Sequence, residues 1–228
     1  MNLLREGDVE LEGRLPWSSN YTFLARVRSE GDTCLAVYKP QNGERPLWDF
    51  EPGLWRREIA AYELSEAVGW GLVPETVQRD DAPLGRGSLQ RFVDDVDFDE
   101  HYFTLLERPE HHEALVAICV FDLLINNADR KGGHCLLDSN GHIWAVDHGL
   151  AFHADPKLRT VIWEFADEPV PPRLVVGLAG LVECVPPAVS AHLNPDEVRA
   201  LQGRAAAIVA RPVLPSPRSG RPYPWPLV

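Results

Sequence analysis

The sequence has only three lysines, Lys39, Lys131 and Lys157; every other side-chain cation is an arginine. A compact ammonium and a forked guanidinium are not interchangeable, so each retained lysine is a place to look for a point charge with a task. An excess of positive charge is also missing. The formal net charge is −12 and the isoelectric point is near 5.1. A nucleic-acid binder would normally show a basic face, and nothing in the sequence suggests one; the acidity still leaves room for a nucleotide held by a few local cations. Cys34, Cys119, Cys135 and Cys184 form no CxxC pair and sit in apolar runs. Buried free thiols in a reducing cytoplasm are expected, not disulfides. No apolar run approaches the length of a membrane span, and the opening residues MNLLREGDVE lack the apolar stretch of an export signal. A cytoplasmic protein without an integral membrane segment is therefore expected.

What is present centres on Phe121 to Phe152. Leu115, Ile118, Cys119, Phe121, Leu124 and Ile125 have helical spacing, so a packed helix is expected to end at Asn126-Asn127. Gly132-Gly133 keep the next loop open. His134–Leu137 and His142–Val146 read as two short strands around the hairpin-turn sequence Asp138-Ser139-Asn140-Gly141. Asp129 then stands just before a rigid hairpin and Asp147 just after it. Two carboxylates so placed can converge on one point, which suits a metal ion and a reacting hydroxyl.

The 228 residues fit one large domain or two small lobes, and 45% apolar content suffices for a sizeable core. Val9–Leu15, Tyr21–Arg28 and Thr33–Lys39 read as strands. The first two are joined through a turn holding Ser18, Ser19 and Asn20, whose N–H groups and hydroxyls could cover phosphates without the usual glycines. Lys39 interrupts an apolar strand end, where a charge needs a reason. Leu54–Val68 reads as a helix with Glu58 in its first half. Strands are expected from Val73 and over Gly87–Val93. The acidic run Asp94–Glu100 reads as a solvated linker. Helices are expected near 98–107 and 111–126, from Pro156 to Phe165, from Arg173 to Glu183 (a buried one), and from an Asn194 N-cap to about Val209. The proline-rich segment from Arg211 onward should be extended, either packed on the body through Trp225 or disordered.

The sequence around Asp122, Asp129-Arg130 and Ala145-Val146-Asp147-His148-Gly149-Leu150-Ala151-Phe152 resembles the catalytic and metal-binding loops of the phosphatidylinositol 3/4-kinase superfamily. It is most similar to the type II phosphatidylinositol 4-kinases, and also to HipA-type kinases. The resemblance covers about residues 11 to 152. It implies an α+β, two-lobed protein-kinase-like fold with a reduced, helical C-terminal lobe. The N-terminal, nucleotide-binding lobe would span 1–93, the C-terminal lobe 94–210 and a tail 211–228. It implies an ATP-dependent phosphotransferase using Mg²⁺ or Mn²⁺, with a protein, lipid or small molecule as acceptor. Asp129 would be the catalytic aspartate, Asp147 the metal ligand, and Lys39, oriented by Glu58, the phosphate-binding lysine. Ser18, Ser19 and Asn20 would overlie the phosphates, and the backbone of Gln90, Arg91, Phe92 and Val93 would meet the adenine. Arg130 and Lys131 would offset charge on the phosphoryl group. Where the family has a metal-binding asparagine, five residues after the aspartate, this chain has His134. An imidazole that ligates there should tilt the site towards manganese or another transition ion, with activity falling from pH 7.5 towards 6 as the ring protonates; the alternative is a ring that merely faces a phosphate or solvent. A nucleotide-binding module without turnover, and transfer of AMP to a protein, are the alternatives the same residues allow.

Overall fold

The computed structural model describes residues 2–16, 20–217 and 220–228. Its first part is an antiparallel sheet of β1 (Asp8–Arg14), β2 (Phe23–Ser29), β3 (Asp32–Pro40), β4 (Thr76–Arg79) and β5 (Gly87–Arg91), in the order β1-β2-β3-β5-β4. Alternation along β3 sorts its side chains between two faces. Ala36 and Tyr38 enter a small core with Val27, Leu89 and Leu4, the last from the short helix α1 (Leu3–Glu6). Val37 and Lys39 point the other way, opposite Gln90 and Ser88 of β5.

Helix α2 (Leu54–Ala67) connects β3 to β4. Its first amides are capped from a distance: the Glu44 carboxylate accepts from Gly53 N and Trp55 N, each at 2.8 Å. Ala60, Ala61 and Leu64 of α2 pack into the larger, helical core of the second half, so this helix is shared between the two parts. Residues 92–101 carry no helix or strand.

The second part comprises α3 (Tyr102–Leu106), α4 (His112–Ile125), the hairpin β6 (Cys135–Leu137) and β7 (Ile143–Ala145), then α5 (Pro172–Glu183), α6 (Pro187–Ser190) and α7 (Pro195–Ala210). Helix α4 ends on Asn126 in the left-handed region, φ 54°. The hairpin turn closes on Asp138, whose carboxylate accepts from Asn140 N, His142 N and Trp144 Nε1. Asn194 caps α7 by accepting from Asp196 N and Glu197 N. The architecture is α+β, with a cleft between the sheet and the hairpin.

Four expectations need correction. Pro156–Phe165 forms no helix. Arg159 N donates to Asn127 O, and Arg130 N and Val161 N exchange bonds with Arg159 O and Arg130 O. The segment pairs in parallel with the loop after α4 instead of bonding to itself. Helix α5 is amphipathic and not buried: Leu174, Leu178 and Leu181 face in, while Val176 is 74% exposed. Trp225 does not anchor the tail, being 87% exposed; the carbonyls of Pro222 and Leu227 bond to Thr160 N and Gly132 N instead. The four cysteines are free, but only Cys119 and Cys135 are buried. Among the described residues no helix is long and apolar enough to cross a membrane.

Candidate active site

A cleft of about 770 Å³ runs between the sheet and the hairpin. Lys39 and Val37 of β3 form its roof, Glu58 comes from α2, and Gln90, Arg91, Phe92 and Val93 lie along one edge. Asp129, Lys131, His134 and Asp147 form its floor. Asn20 lines it too, whereas Ser18 and Ser19 lie outside the described residues. The apolar side chains of Leu136 and Leu150 also face it.

The Lys39 ammonium joins the two halves. It donates to Glu58 Oε1 in a short bond and to Asp147 Oδ1 at 2.8 Å. Burial opposes its charge, yet the two carboxylates outweigh that and raise its pKa above the ordinary lysine value. The same ammonium holds Asp147 far below the usual carboxylate range. Glu58 is buried, which raises its pKa against the pull of Lys39, and its Oε2 accepts from His148 N at 3.0 Å. Asp147 itself sits at φ 61°, a left-handed conformation that non-glycine residues seldom take.

Asp129 faces Lys131, Oδ2 to Nζ 3.0 Å. Burial lifts its pKa above the ordinary value, with Lys131 pulling against the shift. A carboxylate poised in this way, beside an ammonium, is suited to accepting a proton.

Arg130 does not join them. Its side chain is fully buried, and its guanidinium donates to Asp122 through Nε and Nη2 at 3.0–3.1 Å. Nη1 donates to Val146 O at 2.7 Å and His134 O at 3.2 Å. Nη2 also meets His148 Nε2 at 2.8 Å. Because a guanidinium only donates, His148 must accept there and carry its proton on Nδ1, an atom without a partner among the described residues. This arginine ties the end of α4 to both sides of the hairpin and holds no group in the cleft.

His134 Nδ1 accepts from Lys131 N at 3.4 Å, which leaves the ring proton on Nε2, 3.5 Å from Asp147 Oδ2. In this orientation the ring is a donor to Asp147; binding a metal through Nε2 would require the other tautomer. Burial pushes its pKa down to about 4. The ring is then neutral throughout pH 6 to 7.5, so the activity fall expected in that interval does not come from it. The consequence moves to stability. The unfolded ring takes up a proton near pH 6.5 and the folded ring only near 4, so the stability it contributes is complete above 6.5 and lost as pH falls towards 4. Between pH 7 and 5, the wild type should lose roughly 2 kcal/mol more than His134→Asn. Urea midpoints at the two pH values measure this, and equal losses would contradict it.

Among the described residues no three metal-ligating side chains form a group. The donor set is the hard oxygen of Asp147, and His134 beside it. Magnesium or manganese bound by one or two carboxylates with phosphates and water completing the shell is compatible with that set.

Reading the sequence alone missed Arg45, Leu136 and Phe98 as cleft residues. Leu136 follows from the hairpin alternation; the other two sit in irregular segments that no periodicity marks.

Residues 65–182 match the model of the phosphatidylinositol 3- and 4-kinase family. Lys39 and Glu58 precede that stretch. Protein Rv2133c of Mycobacterium tuberculosis is 38% identical over 98% of this chain and 94% of its own length. The structure of hydra Fam20 with sugar superposes with a TM-score of 0.61 at 13% identity, over 92% of this chain and 86% of that one. The Helicobacter pylori proinflammatory kinase CtkA does so with a TM-score of 0.50 at 9% identity, over 92% and 94%. These two likenesses are of fold: the chain has a two-lobed, kinase-like fold.

Proposed function

The chain belongs to the phosphatidylinositol 3- and 4-kinase family, and from that premise we propose that it transfers the γ-phosphoryl group of ATP to a hydroxyl acceptor. The observation that carries this reading is the Lys39 ammonium held between Glu58 of the sheet side and Asp147 of the hairpin side. A point charge fixed in that way can bind the α- and β-phosphates without first being ordered. In this reading the nucleotide-binding lobe spans 1–93, the acceptor-side lobe 94–210 and the tail 211–228, with α2 shared.

The base would lie against Val37, Leu136 and Leu150, with backbone groups of Gln90–Val93 along its edge. Asp147 would hold a divalent metal ion, Mg²⁺ or Mn²⁺, with His134 steadying the carboxylate from the side. A bound cation offsets the charge of the phosphates during transfer. Asp129 orients the acceptor hydroxyl and takes its proton as the acceptor oxygen bonds to phosphorus; the bond to the bridging oxygen breaks and ADP leaves. Lys131 offsets charge on the phosphoryl group. The acceptor is a protein, a lipid or a small molecule; the site groups are those any hydroxyl would use.

ATP with a divalent ion, at about a hundred times its dissociation constant, should stabilise the native state by roughly 2.7 kcal/mol. For a chain of this size that is a rise in Tm of about 5–10 °C. Lys39→Ala should remove most of the rise, each variant being compared with its own nucleotide-free form. Asp147→Ala should remove the part that depends on the metal. Thermal unfolding followed by fluorescence decides it: no shift at millimolar ATP with either ion would sink the reading.

A further inference from the structure

We propose that Arg45 is a second phosphate-binding cation of this cleft, holding the outer phosphates of the nucleotide across from Lys39. The inference rests on the nucleotide reading above and deepens it.

A nucleoside triphosphate is strongly anionic, while this chain carries a formal charge of −12. The cleft must therefore supply local positive charge. Four of its lining residues are cations: Lys39, Arg45, Arg91 and Lys131. Three are already compensated. Lys39 is paired with Glu58 and Asp147, Arg91 with Glu75 at 2.8 Å, and Lys131 with Asp129 at 3.0 Å. The Arg45 guanidinium has no carboxylate partner among the described residues. The neighbouring Glu44 makes no ion pair with it; its two oxygens are turned to the first amides of α2.

The backbone under Arg45 is fixed. Gly43 O accepts from Tyr21 N at 3.0 Å, and Arg45 N donates to Asn20 Oδ1 at 2.9 Å. Gly43 is needed for this approach, since a Cβ there would lie 2.8 Å from Tyr21 O. The loop 41–45 is thereby locked to the end of β3, to the turn before β2 and to the start of α2. A guanidinium left free on a fixed backbone, in the wall of a nucleotide-sized cleft, is available to an anion that enters it. Its planar fork matches two phosphate oxygens at once.

Titration calorimetry with ATP and with AMP, each with a divalent ion, tests the assignment on the full chain. Arg45→Ala should weaken ATP binding about tenfold and leave AMP binding unchanged. Arg45→Lys should recover part of the loss, because the charge returns without the fork. Unchanged ATP affinity in Arg45→Ala would overturn the proposal, and so would an equal loss for AMP, which would mark general damage to the loop. Lys39→Ala separates the two readings. If it loses ATP while Arg45→Ala keeps it, only the role of Arg45 falls. If the wild type itself binds no ATP, the nucleotide reading fails and takes Arg45 with it.

Discussion

Asp129→Asn should lower turnover by about a hundredfold to ten-thousandfold, the usual worth of a positioned proton acceptor, and leave ATP affinity unchanged. The substitution keeps the side chain's size and removes its ability to take a proton. The nucleotide is held elsewhere, by Lys39 from the roof and through the metal on Asp147, so binding has no reason to change. A second signature follows from burial. The Asp129 pKa lies above the ordinary carboxylate value, and only its ionised form accepts the acceptor proton. The rate should therefore rise with pH through that raised pKa, and the variant should lose this limb of the profile. Initial rates from pH 5 to 8 for both proteins, with ATP affinity from titration calorimetry, provide the check. Retained turnover in the variant would remove Asp129 from the chemistry; lost ATP binding would move it to the nucleotide side.

The floor of the cleft was legible in the sequence because its signals are local. Asn126-Asn127 stop a helix, Gly132-Gly133 open a loop, and Asp138 to Gly141 close a hairpin, so the two carboxylates fall on either side of it. Lys39 was legible for another local reason, a charge at the end of an apolar strand. What could not be read depends on partners distant in sequence. The helix expected over Pro156–Phe165 loses to bonds that Asn127 and Arg130 offer across about thirty residues. The Glu44 cap, which fixes Arg45, acts over nine to eleven positions. Adjacency in sequence also placed Arg130 with Asp129 and Lys131 at the phosphoryl group. One residue on, the chain runs in an extended pairing with Thr160, which sends neighbouring side chains to opposite faces. Asp129 reaches the cleft and Arg130 the interior.

That buried placement makes Arg130→Met the substitution with the largest expected effect on stability. Asp122 is fully buried, and the three bonds from Arg130 are its main compensation; Asn127 Nδ2 at 2.9 Å and Thr160 Oγ1 at 3.4 Å are neutral donors. Removing the guanidinium leaves a carboxylate in the interior with no countercharge, at a cost of roughly 3–5 kcal/mol. It also leaves the carbonyls of His134 and Val146 without their donor. Against a total stability of about 5–15 kcal/mol the loss is large. Replacing both members together, Asp122→Leu with Arg130→Met, removes the stranded charge and should recover a substantial part of the loss. Activity should not recover with it. Val146 O and His134 O flank the Asp147 position, and the arginine fixes both, so the double variant should fold yet bind the metal–nucleotide pair poorly. Urea unfolding of the two single variants and the double one, alongside ATP-induced thermal shifts, tests both halves. A double variant no more stable than Arg130→Met would mean that the carbonyl bonds, and not the buried charge, dominate at this position. A double variant with wild-type nucleotide shifts would mean that the hairpin holds Asp147 without help from Arg130.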